Sequence, residues 1–428
     1  MEIYRHIVSE WMDMEIPEPV RRDAEIDYAL MDSFILAVIG PRRSGKTYFM
    51  YQMMRDLMES GVSRESIFYI NLEDDRLAPL NGEVMDGLLD AFHELYGPHD
   101  EYYLFLDEIQ NLMDWQGWVK RVKSLESGVK IVISGSSARL LSKEISTGLR
   151  GRVYSVEILP VSFREYVRFR GYDPDELLKR PYGENETAGR KLFREYTEKS
   201  TYPALSFGDF DKRTEREVLQ SYYEAMIMRD VVERYSVRDV SMLRGISRLL
   251  LNSVASEFTY TKLRNSLKSM GFSPSKSTVI DYVSHLEDAY LFFTVNRFRT
   301  SEKKRQTSPK KLYIVDAGML DALTFTGSEE RGKKMENLVF LELLRRKKDV
   351  FYYRDGRECD FIVTERGRVT EAIQVTENLK DSHAREFEGL KKAIESTGAY
   401  KGTIITETER DNDGDRNVIP IWEWMLRK

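Results

Sequence analysis

The chain has 428 residues, of which 41% are hydrophobic and 32% charged, and a formal net charge of −6. That length predicts two or three domains with real cores, and the negative total excludes binding nucleic acid through overall charge, leaving only a local basic face for that role. One cysteine, Cys359, and five scattered histidines exclude an intrachain disulfide framework and argue against a zinc site, and there is neither a signal-peptide core nor an apolar run of about 18 residues, so the expected location is cytoplasmic, without a membrane partner.

In chain order, residues 1 to 31 predict a helical lead-in broken at Pro17 and Pro19. Phe34 to Ile39 is a continuous apolar run, which suits a strand covered on both faces. A glycine turn and a helical pattern follow. Further strands are predicted at Ser66–Asn71, Tyr102–Leu106, Val129–Ile133 and Val153–Ile158. Strands alternating with helices predict an α/β, doubly wound parallel sheet. Residues 160 to 235 read as helical, with Gly171 to Arg190 as an exposed polar excursion. From 240 to 300 the pattern is helix, turn, helix and strand, and 311 to 428 mixes strands and helices.

Gly40-Pro41-Arg42-Arg43-Ser44-Gly45-Lys46-Thr47 fits G-x-x-x-x-G-K-[ST] between a strand and a helix. In such a P-loop the backbone wraps phosphate oxygens and its N–H groups face the anion. Lys46 is expected to reach the β- and γ-phosphates, and Thr47 to place its hydroxyl on Mg²⁺. Leu104 to Glu108 is an apolar strand ending in two acids. Asp107 there would hold the Mg²⁺ hydration shell, and Glu108 would orient or deprotonate the attacking water. Ser134, in Ile133-Ser134-Gly135-Ser136-Ser137, is a candidate to sense the γ-phosphate or hold the water. In Arg150-Gly151-Arg152, Arg152 is the preferred guanidinium to stabilise the transferring phosphoryl group, in cis or from a neighbouring subunit.

These motifs, with Phe105-Leu106-Asp107-Glu108-Ile109-Gln110, Ser134-Gly135-Ser136-Ser137 and Leu149-Arg150-Gly151-Arg152, resemble those of AAA+-type P-loop ATPases common in archaea and bacteria, in which a domain of unknown function follows the ATPase. The likeness continues through Pro160 to Tyr166, Met228-Arg229-Asp230-Val231, Lys311 to Gly318, Gly332 to Glu342 and Gly356 to Phe361. It departs at Ser200-Thr201-Tyr202-Pro203, where the family carries a Gly-Gly-aromatic-Pro turn. The resemblance implies an Mg²⁺-dependent ATPase whose nucleotide state moves C-terminal domains. Two other readings stand beside it: an ATP-switched regulator that binds DNA or protein with slow turnover, and an ATP-regulated nuclease.

The C-terminal part resembles restriction-endonuclease-like folds, which use a helix acid, a strand Asp and a following Glu-x-Lys. Glu336 and Asp360 match the first two, but Gln374 and Thr376 replace the last acid and lysine, and Glu371 falls on the opposite face. That predicts a retained fold without cutting. Upstream, Thr259 to Met270 and Ser275 to Val283 predict two helices, and Tyr290–Val295 with Lys311–Val315 a hairpin. This is a winged-helix pattern with Lys303, Lys304, Arg305, Lys310 and Lys311 on the wing, making residues 259–311 the candidate contact for double-stranded DNA. The expected domains are therefore 1–165 for the ATPase, 166–238 for a helical lid or connector, 239–325 for the winged helix and 326–428 for the small α/β restriction-endonuclease-like domain. Expected partners are ATP, duplex DNA, and a second copy of the chain or another protein.

Overall fold

The computed structural model describes residues 2–97, 99–126, 128–136, 151–324, 331–379, 383–411 and 417–427. Two compact units divide the chain, Met1–Leu159 and Pro160–Lys428. Among the described residues no helix is long and apolar enough to cross a membrane.

The first unit is built on five parallel strands, β1 (Ile35–Ile39), β2 (Ile67–Asn71), β3 (Tyr102–Asp107), β4 (Val129–Gly135) and β5 (Val153–Glu157), in the order β2-β3-β4-β1-β5. Ile35 to Val38 are buried, as a run covered on both faces requires. The helices Lys46–Glu59, Gly82–Tyr96 and Trp115–Leu125 supply buried residues to the same core. The lead-in is helical at Glu2–Asp13, which buries Ile7, Val8 and Trp11, and irregular from there to the short helix Leu30–Ser33. Strand order brings three carboxyl ends side by side. Ile39 pairs with Gly135, and Leu106 with Ile133, so the residues after β1 and those ending β3 and β4 meet at one edge.

The second unit holds a three-stranded sheet and a five-stranded sheet. The strands are β6 (Glu257–Phe258), β7 (Phe292–Asn296), β8 (Lys310–Ile314), β9 (Asp349–Asp355), β10 (Arg357–Glu365), β11 (Arg368–Val375), β12 (Lys401–Thr406) and β13 (Asn417–Pro420). Their orders are β6-β8-β7 and β13-β12-β11-β10-β9. One hydrophobic cluster runs from Val161 to Leu426 through the helices and both sheets. Helices form at Tyr260–Ser269 and Lys276–Asp288, and β7 and β8 pair antiparallel.

Two expectations need correction here. Gly171 to Arg190 is not an irregular excursion. It contains the helix Pro174–Lys179, capped by Asp173, and the start of the helix Glu184–Glu198. Pro174, Leu177 and Gly189 are buried, and a Cβ on Gly189 would lie 2.4 Å from the Trp422 ring. The aromatic partner sits more than 200 residues downstream in sequence, where no local pattern could reveal it. Lys311 is the second correction. It lies on β8 but is 2% exposed, and so cannot serve as a basic wing residue for DNA. Between β7 and β8 the chain forms a short helix, Glu302–Thr307, where Lys303 and Lys304 are exposed.

Candidate active site and the C-terminal carboxylates

The loop after β1 has the backbone that a phosphate cradle needs. Gly40 has φ +150°, and a Cβ there would stand 2.2 Å from the Ile158 carbonyl oxygen. Gly45, at φ +95°, precedes the helix Lys46–Glu59 without any side-chain cap, so the N–H groups of the first helical turn face outward. Arg43 also adopts the left-handed region, at φ +65°. Ser44 is fully buried, and its hydroxyl has no partner among the described residues. The buried Lys46 ammonium donates to the carbonyls of Gly40 at 3.3 Å and Pro41 at 3.1 Å. Arg42 lies 3.6 Å from Glu73.

The acidic end of β3 meets this loop. Thr47 Oγ1 donates to Asp107 Oδ2 at 2.6 Å. Lys46 Nζ lies 3.9 Å from Glu108 Oε1. Glu108 is left-handed at φ +55°, a conformation rare outside glycine, where the strand breaks off. Ser134 is fully buried at the end of β4. Its hydroxyl accepts from the Glu108 N–H at 2.9 Å and donates to Asp107 Oδ1. It thus ties the two acids to each other. The residues fit a nucleotide with its cation: oxygen donors at Thr47 and Asp107, an ammonium, a glycine-shaped cradle and an orphaned hydroxyl at Ser44.

Arg152 is elsewhere. Ile35 N–H donates to its carbonyl at 2.9 Å, and Val153 pairs with Ile35, so Arg152 stands exposed at the amino end of β5. The cradle is at the other end of β1, about 13 Å along the strand. A role in cis on its own nucleotide is beyond the reach of its side chain. Arg150 and Ser137 lie outside the described residues.

In the second unit Glu336 and Asp360 do come together, but around a lysine. Lys311 Nζ lies 2.8 Å from Glu336, 2.8 Å from Glu358 and 2.9 Å from Asp360. Tyr313 O–H donates to Glu336 at 2.6 Å. Gln374 stands beside Asp360 across the β10–β11 pair and accepts from its N–H at 3.3 Å. Thr376 donates to the Asn378 carbonyl at 3.1 Å, and Glu371 is engaged by Thr403 and Lys401. The basic set upstream is partly committed too. Arg305 pairs with Glu302 at 3.1 Å and covers the Phe351 ring, and Lys310 lies over Tyr260.

A family profile described as an AAA domain matches residues 32–167, and two domains of unknown function, DUF8612 and DUF4143, match 190–330 and 331–424. An uncharacterized protein of Methanocaldococcus jannaschii is 33% identical over 424 residues, spanning 95% of this chain and 91% of that protein. The chain belongs to that protein's family. An uncharacterized protein of Haemophilus influenzae is 27% identical over 399 residues, covering 92% and 94%. Among solved structures, the Walker-type ATPase of Pyrococcus abyssi has a TM-score of 0.41 at 16% identity, covering 72% of this chain and 99% of that one. DnaA of Aquifex aeolicus bound to AMPPCP has a TM-score of 0.23 at 14% identity, covering 67% and 86%.

Two residues of this family member escaped the sequence reading, and a third was given the role of a wing residue instead of a partner for the C-terminal acids. Ahead of the matched AAA domain, Arg22 is buried and donates to the Ser44 carbonyl at 2.8 Å and to that of Leu159, bracing the P-loop from the lead-in. Tyr69 donates to Asp107 Oδ2 at 3.0 Å. Burial, then the Asp107 charge, pushes its phenol well above the ordinary value, so it remains a donor. No local motif marks either residue. The third is Lys311. Its signal was the alternation Lys311-x-Tyr313, which puts both side chains on one face of β8.

Proposed function

We propose that the chain is an Mg²⁺-dependent AAA+-type ATPase that binds and hydrolyses ATP, with its nucleotide state coupled to the domains that follow. The observation that carries this reading is the approach of Thr47 Oγ1 to Asp107 Oδ2 at 2.6 Å, beside Lys46 and Glu108. Thr47 and Asp107 would hold the Mg²⁺, which when bound neutralises charge on the β- and γ-phosphates. Lys46 exchanges its two carbonyl acceptors for phosphate oxygens. Glu108 orients the attacking water and accepts its proton. Ser134 is a positioning residue, holding Asp107 and the Glu108 backbone in register. Arg152 serves the nucleotide of a second copy of the chain, which makes a homo-oligomer the expected assembly. The test is phosphate release from ATP by the full chain. It should require Mg²⁺ and vanish in Lys46→Ala; an absence of ATP binding by the parent chain would overturn the proposal.

The helix pair Tyr260–Ser269 and Lys276–Asp288, followed by the β7–β8 hairpin, favours the winged-helix reading. Exposed Lys276, Lys303 and Lys304 supply the basic groups for contact with the backbone of duplex DNA. Binding to a mixed-sequence duplex should weaken steeply as salt rises; no binding at low ionic strength would remove DNA as a partner. The helix Arg331–Arg345 followed by β9 to β11 is consistent with a restriction-endonuclease-like domain that does not cut.

A further inference from the structure

An ammonium has three N–H donors, and those of Lys311 have three carboxylates within 2.8 to 2.9 Å: Glu336, Glu358 and Asp360. These acids come from the helix Arg331–Arg345 and from β10, while the lysine comes from β8. Two of these acids have a further donor: the Tyr313 O–H on Glu336 Oε1, the same oxygen that Lys311 meets, and the Val375 N–H on the second Asp360 oxygen, Oδ2, at 2.9 Å. Lys311 is 2% exposed, Asp360 5% and Gln374 7%. Burial opposes the lysine's charge, but Asp360 and then Glu336 outweigh it and hold its pKa well above the ordinary value.

Asp360 is a buried carboxylate and Glu336 a nearly buried acid, and a buried carboxylate is stable only with a compensating cation. We infer that Lys311 is the resident cation of this site: its ammonium takes the place between Glu336 and Asp360 that a divalent metal would take, closing the site to metal, and its removal opens that place to a divalent cation. A metal entering the parent chain would have to drive a buried ammonium away from all three of its partners. Gln374 accepts from the Asp360 N–H, and the Thr376 hydroxyl donates to the Asn378 carbonyl. The same ion cluster joins the segment matched by the first domain of unknown function to the segment matched by the second.

The experiment is a Mn²⁺ titration of the full chain without nucleotide, with free Mn²⁺ read by electron paramagnetic resonance. The parent should show no bound Mn²⁺ that Asp360→Asn removes. Lys311→Ala should bind one additional equivalent, lost again in Lys311→Ala combined with Asp360→Asn. An Asp360-dependent Mn²⁺ site in the parent, or Mg²⁺-dependent DNA cutting abolished by Asp360→Ala, would overturn the inference. So would a folded Lys311→Ala chain that gains no Mn²⁺. If Lys311→Ala does not fold, the parent and Asp360→Asn decide the matter alone.

Discussion

Lys46 and Lys311 are both almost fully buried, at 4% and 2% exposure, yet their partners differ in kind. Lys46 rests on two neutral carbonyls at 3.1 and 3.3 Å, and its nearest carboxylate partner is 3.9 Å away. A phosphate oxygen makes a stronger, charge-assisted bond than a carbonyl, so an anion can take over these contacts. Lys311 is held by three carboxylates at 2.8 to 2.9 Å, which no incoming anion improves on. The burial of a lysine therefore says little about its work. The charge on its partners separates a lysine that waits for a ligand from one that closes a site.

Substitution should separate the two. Lys46→Ala is expected to remove measurable ATP binding and turnover while leaving the denaturant midpoint close to that of the parent, read by equilibrium binding and unfolding. A stability loss as large as its loss of binding would erase the distinction. Arg152→Ala should lower turnover by about 1,000-fold in the assembled state, with ATP affinity retained. Mixing it with Lys46→Ala, whose intact Arg152 can serve the partner's nucleotide, should restore part of the rate. No restoration would remove the neighbour role.

Lys311→Ala should instead cost about 3–5 kcal/mol of stability, because it leaves buried carboxylates unpaired. Chemical unfolding followed at the second unit would measure it, and a loss under about 1 kcal/mol would contradict the ionic account. A smaller effect concerns Glu336. Burial, and then the Asp360 charge, raises its pKa from 4.5 to about 7, against the pull of Lys311. A carboxyl whose folded pKa is raised contributes stability that is full below about pH 4.5 and lost by about pH 7. Glu336→Gln should flatten stability across that window. An unchanged pH slope would show that another group is responsible.

How much of this was legible differs between the two lysines for a physical reason. The cradle, Thr47 and the β3 acids follow from a contiguous motif and from strand ends, both local in sequence. The parallel order β2-β3-β4-β1-β5 then brings them together without further information. Pro160 to Tyr166 was legible as a family likeness, and its physical content is a helix start. Ser162 Oγ accepts from Glu165 N–H at 3.1 Å while Glu165 accepts from Ser162 N–H at 2.8 Å, a reciprocal capping box.

The stretch Lys311 to Gly318 could be seen but not interpreted, because Lys311, Tyr313 and Asp316 have partners far away in sequence. Lys311 and Tyr313 reach Glu336, and Asp316 accepts from the Thr201 N–H and hydroxyl, both at 2.6 Å. A Cβ on Gly318 would lie 3.0 Å from Ser200 Cα. The departure at Ser200-Thr201 is thereby accounted for, since the Thr201 hydroxyl adds a bond that a glycine lacks. Arg152 was read as acting in cis or from a neighbouring subunit, and the parallel pairing of Val153 with Ile35 puts it at the amino end of β5, away from the cradle.

The claim that the P-loop edge is a hydrolytic centre meets its most direct test in Glu108→Gln. Single-turnover phosphate release and ATP affinity should be measured on the same preparation with Mg²⁺ present. The account predicts ATP affinity within about threefold of the parent and a turnover lower by on the order of 100-fold or more. Turnover equal to that of the parent would contradict it.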